Sequence, residues 1–428
     1  MAQPISYYSA TARDTAPFDT LDGDLHVDVA IVGGGFTGVA TALELAAQGH
    51  HVALCEAQTI GWGATGRNGG QITGSLSGDV AMQREFSRQI GEQRARDFVW
   101  DLRWRGHEII RGRVAKYGIA CDLQFGHMQT AMTPAHVAEL QAMYDLGCAQ
   151  GMGDDLTWVD ADHIRDYLGT DMYIGGLLNR RNMHVHSLDL CRAEARAVQS
   201  LGGQVFEHCA VTTIDTGPRP KLRTNQGTIR ASQVVLAGNA YHLLNQGQLR
   251  GKLFPASLAN MATRPLSDDE ISAINPQRLA VYDSRFVLDY YRITADNRLM
   301  FGSGTNYSGR ASADIATELR PALDRVFPQL RGIDIDYAWS GMDGIIINRI
   351  PQVGRIDDSL YYVQGYSGHG IALSHILAGM TARAIAGDSH EFNLFAGARH
   401  WHLPLPRALG SLAIAAGMTY YKLRDALR

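Results

Sequence analysis

The segment Val29-Ala-Ile-Val-Gly-Gly-Gly-Phe-Thr-Gly38 carries an apolar run straight into a G-x-G-x-x-G turn made of Gly33, Gly35 and Gly38. Few local architectures need that spacing. Gly33 permits a tight turn, Gly35 lets the backbone approach a pyrophosphate, and Gly38 lets the next helix lie close to the strand. Phe36 and Thr37 fall in the first turn of that helix, whose N-terminus faces bound phosphates. The chain holds 46 glycines, so the motif needs its context. Val27 to Val32 reads as a strand, Thr37 to Gln48 as a helix ended by Gly49, and His51 to Glu56 as a second short strand closing on an acid. Glu56, followed by Ala57, is placed to accept hydrogen bonds from a ribose 2′-OH, and its charge disfavours a 2′-phosphate. The unit is read as a dinucleotide-binding βαβ unit.

With 428 residues, 45% of them hydrophobic, the chain has material for two or three domains with substantial cores. A net charge of −4 gives no general basic field, which argues against nucleic acid and against an anionic membrane as partners. The five cysteines, Cys55, Cys121, Cys148, Cys191 and Cys209, show no C-x-x-C and no metal-ligand spacing. Their odd number and scatter favour a reduced, cytoplasmic chain. The first 25 residues lack the charged and apolar regions of a secretory signal, and no run approaches the roughly 18 apolar residues of a spanning helix. Leu409 to Met418 is too short to span and reads as part of a docked C-terminal helix.

Farther along, the pattern interleaves. Glu85 to Lys116 and Pro134 to Gln150 read as helices, Leu188 to Leu201 as another, Gln204 to Ile214 as a strand pair, and Ala231 to Ala237 as a buried strand ending at Gly238-Asn239. Between Leu253 and Asp336 the text alternates and carries Tyr282, Tyr290, Tyr291 and Tyr307, which predicts an antiparallel sheet. Leu360 to Gln364 returns to a buried strand before a helix from about Ile371 to Gly387. The prediction is an α/β (α+β) chain. A discontinuous Rossmann-like nucleotide domain comes from 25–85, 188–245 and 339–400, an antiparallel-sheet substrate domain from 86–187 and 246–338, and a C-terminal helical segment from 401–428. Two further glycine-rich turns, Gly61 to Gln71 and Gly365 to Ile371, favour a ligand as long as FAD over a nicotinamide nucleotide. A helix N-terminus behind the second would stabilise negative charge on a reduced flavin.

Several longer strings carry more specific information: Ala16-Pro-Phe-Asp-Thr-Leu21, Gly63-Ala-Thr-Gly-Arg-Asn-Gly-Gly-Gln71, Leu288-Asp-Tyr-Tyr-Arg292, Thr294-Ala-Asp-Asn-Arg-Leu299 and Gln364-Gly-Tyr-Ser-Gly-His-Gly370. Through them the chain resembles, nearly end to end, the D-amino-acid-oxidase-type FAD amine oxidases, and within that family it is similar to bacterial oxidases of putrescine degradation. The resemblance implies oxidation of a CH–NH bond. Hydride passes from the amine-bearing carbon to flavin N5, the imine hydrolyses to aldehyde and ammonia, and oxygen reoxidises the flavin to give hydrogen peroxide. Two alternatives stay open: a dehydrogenase that passes electrons to a carrier, and a non-catalytic FAD-binding redox sensor.

The same resemblance implies the site. Gly63, Ala64, Thr65, Arg67, Asn68, Gly69, Gly70 and Gln71 would run beside the flavin, with Val211 giving main-chain contacts to adenine and Gly238 and Ala240 beneath the dinucleotide. Gly368, His369, Gly370 and Ile371 would lie at the flavin pyrimidine end. Family members that attach FAD covalently use a Cys in the last third of the chain or a His in the turn after the second strand. This chain has no Cys after Cys209 and no His between Gly61 and Gln71, so non-covalent FAD is expected. His184 and His186 lack a carboxylate or Cys partner at supporting spacing, so no metal is expected. No nucleophile is needed, and His369 and Tyr291 are the catalytic candidates.

For the small-molecule amine substrate, Tyr290 and Tyr291 offer aromatic faces and Arg292 a partner for a carboxylate. Period-two alternation lets only one of the two tyrosines face the site. Within Trp339-Ser-Gly-Met-Asp-Gly344, amino-acid oxidases of the family carry an Arg that grips the substrate carboxylate, where this chain has Asp343. That argues for an amine with no adjacent carboxyl group. The putrescine-pathway members carry a large apolar residue there, so Asp343 departs from both patterns. Lys252, a conceivable charge for oxygen chemistry, reads as a surface lysine.

Overall fold

The computed structural model describes residues 5–401 apart from 242–243, 245–246, 250, 286 and 307–311. The branched apolar runs become the inner strands of a first sheet, in the order Gln352–Arg355, Leu360–Gln364, Thr228–Leu236, Leu25–Val32, Val52–Cys55, Gln204–Phe206. From Leu360–Gln364 to Gln204–Phe206 every pairing is parallel. All of Val52–Cys55 and Val29 to Ile31 are buried, as strands covered on both faces require. The hairpin Val211–Asp215/Lys221–Thr224 adds on at Thr228–Leu236.

The helix Phe36–Ala47 packs against Ser187–Ser200 and Gly370–Ile385. The stretch read as one helix from Glu85 is two, Asp79–Ile90 and Glu92–Tyr117, broken at Gly91, whose φ of +84° is left-handed. In the longer one, Ala95, Val99, Leu102, Gly106 and Ile110 recur at helical spacing and are buried. Gly106 permits the crossing with Gly370–Ile385, since a Cβ there would sit 2.7 Å from that of Ala372. Under these helices Glu194 is fully buried, 2.9 Å from Arg113 Nη1 and 3.1 Å from His375 Nε2. Burial would raise its pKa, but His375 and Arg113 outweigh that and pull it down to about 2.

The second sheet runs Ile335–Ile345, Phe254–Pro265, Arg298–Asn306, Asp289–Ile293, Ala280–Asp283, Gln124–Ala131, Gly175–His184, Gln71–Ile72, with Leu156–Val159 paired to Gly175–His184. Its pairings are antiparallel except for Ala280–Asp283 beside Gln124–Ala131, which is parallel. Two boundaries shift. Gln71–Ile72, assigned with the nucleotide pieces, pairs in this sheet, and the boundary drawn at 339 falls inside the strand Ile335–Ile345. The expected C-terminal helical segment 401–428, save Trp401, and Tyr307 lie outside the described residues. No single described helix is long and apolar enough to cross a membrane, and the five cysteines are free thiols.

Candidate cofactor and substrate cavity

A cavity of about 680 Å³ opens between the C-terminal ends of the first sheet's parallel strands and one face of the second sheet. At the first sheet its wall is backbone. Gly33 follows Val32 with φ +114°, and a Cβ there would lie 2.9 Å from the Ala237 carbonyl carbon. A Cβ on Gly38 would lie 1.9 Å from the Gly33 oxygen, so only glycine allows the helix Phe36–Ala47 to start this close. Its N-cap, Gly35, supplies no side-chain cap, and among the described residues the one side-chain acceptor for the first-turn N–H groups is Thr65 Oγ1, 3.1 Å from Phe36 N. The remaining N–H groups and the positive end of the helix dipole border the cavity.

Glu56 ties this turn together. One carboxylate oxygen accepts the Gly34 N–H at 2.7 Å and the other the Gln58 N–H at 2.8 Å, and burial raises its pKa. Ala57, Val211 and Gly238 line the same end.

The loop Gly63 to Gln71 forms the middle wall and is fixed by its own side chains. Asn68 donates to the Ala64 and Thr65 carbonyls and accepts the Gly70 N–H at 2.8 Å. Arg67 donates to Trp62 O and Ser340 O, each at 3.2 Å. Two residues expected at the substrate serve this loop instead. Arg292 is buried and donates to Gly69 O at 2.8 Å, Val185 O at 3.0 Å and the Tyr8 hydroxyl at 3.2 Å, while Trp339 Nε1 donates to Arg67 O at 3.1 Å. Neither lines the cavity.

Alternation separates the tyrosines. Tyr290 lines the cavity, its ring pressed against Gly69 and Gly302, where any Cβ would come within 2.6 Å and 2.2 Å of it. Tyr291 points the other way, buried against Phe301 and Phe327, and cannot serve as a catalytic group. Asp343 does line the cavity, with both oxygens engaged: one takes the Gly344 N–H at 2.7 Å, the other the Gly368 N–H at 2.5 Å. It thus fastens the turn Gly365 to Gly370 to the strand Ile335–Ile345; burial raises its pKa. His369, N-cap of Gly370–Ile385, lines the cavity half-buried; desolvation lowers its pKa to about 4, and its Nδ1 has no partner among the described residues.

Of the expected cofactor residues, Gly33, Gly35, Phe36, Thr37, Glu56, Ala57, Gly63, Ala64, Thr65, Arg67 to Gln71, Val211, Gly238 and Gly368 to Ile371 line one cavity; Gly38 and Ala240 do not. His186 caps the helix Ser187–Ser200 and His184 contacts Arg278 O at 3.3 Å, so both are structural, and among the described residues no His/Cys/Asp/Glu group could hold a metal. The sequence reading missed Tyr366, whose hydroxyl is 2.5 Å from Thr37 Oγ1, and Tyr241, which accepts the Met342 N–H at 2.9 Å. It also missed Gln129, Tyr282, Arg285 and Arg349. Tyr366 lay inside the Gln364 to Gly370 string and Tyr241 directly follows Ala240 in the stretch assigned beneath the dinucleotide; the other four lay in no motif that pointed to the site.

A family model described as FAD dependent oxidoreductase matches residues 28–384. The chain belongs to this family of FAD-dependent oxidoreductases. FAD fits what the residues offer: a glycine cradle that any Cβ would fill, a helix N-terminus for phosphates, a carboxylate at the end of the second strand, and a cavity of large-ligand size. This oxidoreductase is 39% identical over 99% of its length to 98% of the Escherichia coli (strain K12) protein named gamma-glutamylputrescine oxidoreductase. It is 32% identical over 99% of its length to 97% of a probable oxidoreductase OrdL of Haemophilus influenzae. Among solved structures, glycine oxidase from Geobacillus kaustophilus aligns with a TM-score of 0.73 and 22% identity, covering 88% of this chain and 100% of that one, which shows the shared fold.

Proposed function

We propose that this oxidoreductase oxidises a primary amine, gamma-glutamylputrescine or a near relative, to the gamma-glutamylated aminobutyraldehyde, releasing ammonia and hydrogen peroxide in polyamine catabolism. The observation that carries the reading is the end-to-end similarity to the Escherichia coli protein of that name. Position 343 supports it. Where the resemblance to amino-acid oxidases would place an arginine, Asp343 is committed to two backbone N–H groups, so the side chain at this position supplies no cation for a substrate carboxylate.

FAD, when bound, supplies the acceptor for hydride leaving the amine-bearing carbon. The chain's own residues bind, orient and exclude. Tyr290, held by Gly69 and Gly302, forms a rigid wall, and Leu258, Leu288, Met342 and Ile345 give apolar surface that keeps water from the reacting carbon. His369 lines the cavity and, with a pKa near 4, is neutral at neutral pH, so it adds no charge beside the substrate. With no Cys after Cys209 and no His in 61–71, the cofactor is held non-covalently. Acid precipitation of the yellow protein then leaves the colour in the supernatant.

The test is an anaerobic titration of the purified holoprotein with gamma-glutamylputrescine and then putrescine, followed by the visible flavin absorbance. Bleaching by the first is expected; no bleaching by any primary amine overturns the reading. In air, hydrogen peroxide should match amine consumed, and its absence would assign the electrons to a carrier.

A further inference from the structure

The end of the cavity at the second sheet is built of polar side chains that the glycine turns do not explain. The Tyr282 hydroxyl donates to Gln129 Oε1 at 3.1 Å, and Gln129 Nε2 donates to Ser284 Oγ at 3.2 Å. Beside them stands Arg285. Its Nε and Nη2 meet Asp283 Oδ2 at 3.1 and 2.5 Å, and Nη2 also reaches Asp289. Both carboxylates are essentially inaccessible and otherwise occupied. Asp283 also takes the N–H of Arg285 and of Asp289, and Asp289 also takes the Ser303 hydroxyl and Arg325 Nη2.

Burying two carboxylates to hold one guanidinium is costly unless geometry is exact and every lone pair is used. Here the arrangement grips Arg285 by one edge only. The guanidinium is a quarter exposed and lines the cavity, and its Nη1 has no acceptor among the described residues. With Arg325 counted, the cluster is two anions and two cations, so it presents a directed donor without a strong net field. Such a donor recognises a carboxylate by hydrogen bonding and gives a bare diamine nothing.

Resting on the proposed reaction, we infer that Arg285 docks the α-carboxylate of the substrate's glutamyl head, at the end of the molecule remote from the oxidised amine. Gln129, Tyr282 and Ser284 supply the polar wall for the rest of that head. Arg285 is a specificity-determining residue, and Asp283 and Asp289 position it.

The experiment separates head binding from oxidation. Anaerobic calorimetry on the FAD-loaded protein compares gamma-glutamylbutylamide, which has the head and lacks the terminal amine of the proposed substrate, with 4-amino-N-butylbutanamide, which differs from it only in lacking the α-carboxylate. The wild type should bind the first about tenfold to hundredfold more tightly, the range for a charge-assisted hydrogen bond. Arg285→Gln should erase that preference by weakening the first ligand alone, and Arg285→Lys should restore part of it. Equal binding of the two ligands by wild type overturns the inference without any variant, as does equal weakening of both in Arg285→Gln. If the head preference is found but gamma-glutamylputrescine leaves the flavin oxidised, the proposed reaction falls and the subsite stands.

Discussion

At the first sheet the cavity is bounded by main chain, at Gly33, Gly35 and the N-terminus of Phe36–Ala47; at the second it is bounded by side chains, Tyr290, Gln129, Tyr282 and Arg285, standing on strands and a loop that meet from distant parts of the chain. A backbone wall tolerates one residue type at its tightest points and fails outright when that is changed. A side-chain wall is graded, and substitutions there should alter which ligand binds while the protein persists.

The largest effect should come from Gly38→Ala, whose Cβ meets a backbone oxygen at 1.9 Å with nothing flexible to yield. Flavin absorbance per protein and a melting curve should show loss of the folded holoprotein, and a variant with full flavin content would break the contrast. Tyr291→Ala, which empties a core position behind the second sheet, should cost about 3–5 kcal/mol in denaturant unfolding. Flavin content per folded molecule should be unchanged, and preferential loss of flavin would return Tyr291 to the site.

Glu56→Ala removes the carboxylate that accepts two backbone N–H groups and that is expected to meet the ribose, and should weaken FAD binding by about 1.5–3 kcal/mol, read by equilibrium dialysis. Unchanged affinity would show that the turn holds without it. Acidification tests the second sheet's packing through His127, whose burial lowers its pKa to about 3. The unfolded ring takes up its proton near pH 6.5, so this contribution is complete above that pH and is lost as pH falls toward 3. Melting temperature should therefore drop between pH 7 and 5, and His127→Gln should flatten part of that drop, by about 2 kcal/mol at pH 5. The smallest change belongs to Tyr290→Phe, under about 1 kcal/mol in stability, with the effect confined to KM for the amine.

The same contrast decides what could be read from the amino acids. Gly33 and Gly38 were legible because steric exclusion leaves a mark in residue type at fixed spacing, and Glu56 because an acid closes the second strand at a set distance from them. The loop Gly63 to Gln71 was legible through its similarity to a family string. Arg292 and Arg285 show the limit. Arg292 shares the cavity face with Tyr290 by alternation, yet the Gly69 carbonyl covers it, a fact of long-range packing that no local pattern records. Arg285 sits just past the end of Ala280–Asp283 with no periodicity to mark it, and becomes visible only when Asp289 and Arg325 arrive beside it. Asp343 was singled out as unusual from the sequence, but its partner, the Gly368 N–H, lies on a different turn.

The pairing pattern also sets when the cavity can exist. During synthesis Leu25–Val32 waits for Thr228–Leu236, Gln124–Ala131 waits for Ala280–Asp283, and the turn at Gly365 to Gly370 emerges after both. Contacts this remote in sequence form slowly, and until they form, apolar strand edges stay open to other chains. The nascent chain therefore cannot hold FAD until nearly all of it has left the ribosome. Flavin scarcity in the producing cell would then show itself as aggregated, never-completed protein more than as finished enzyme lacking its colour.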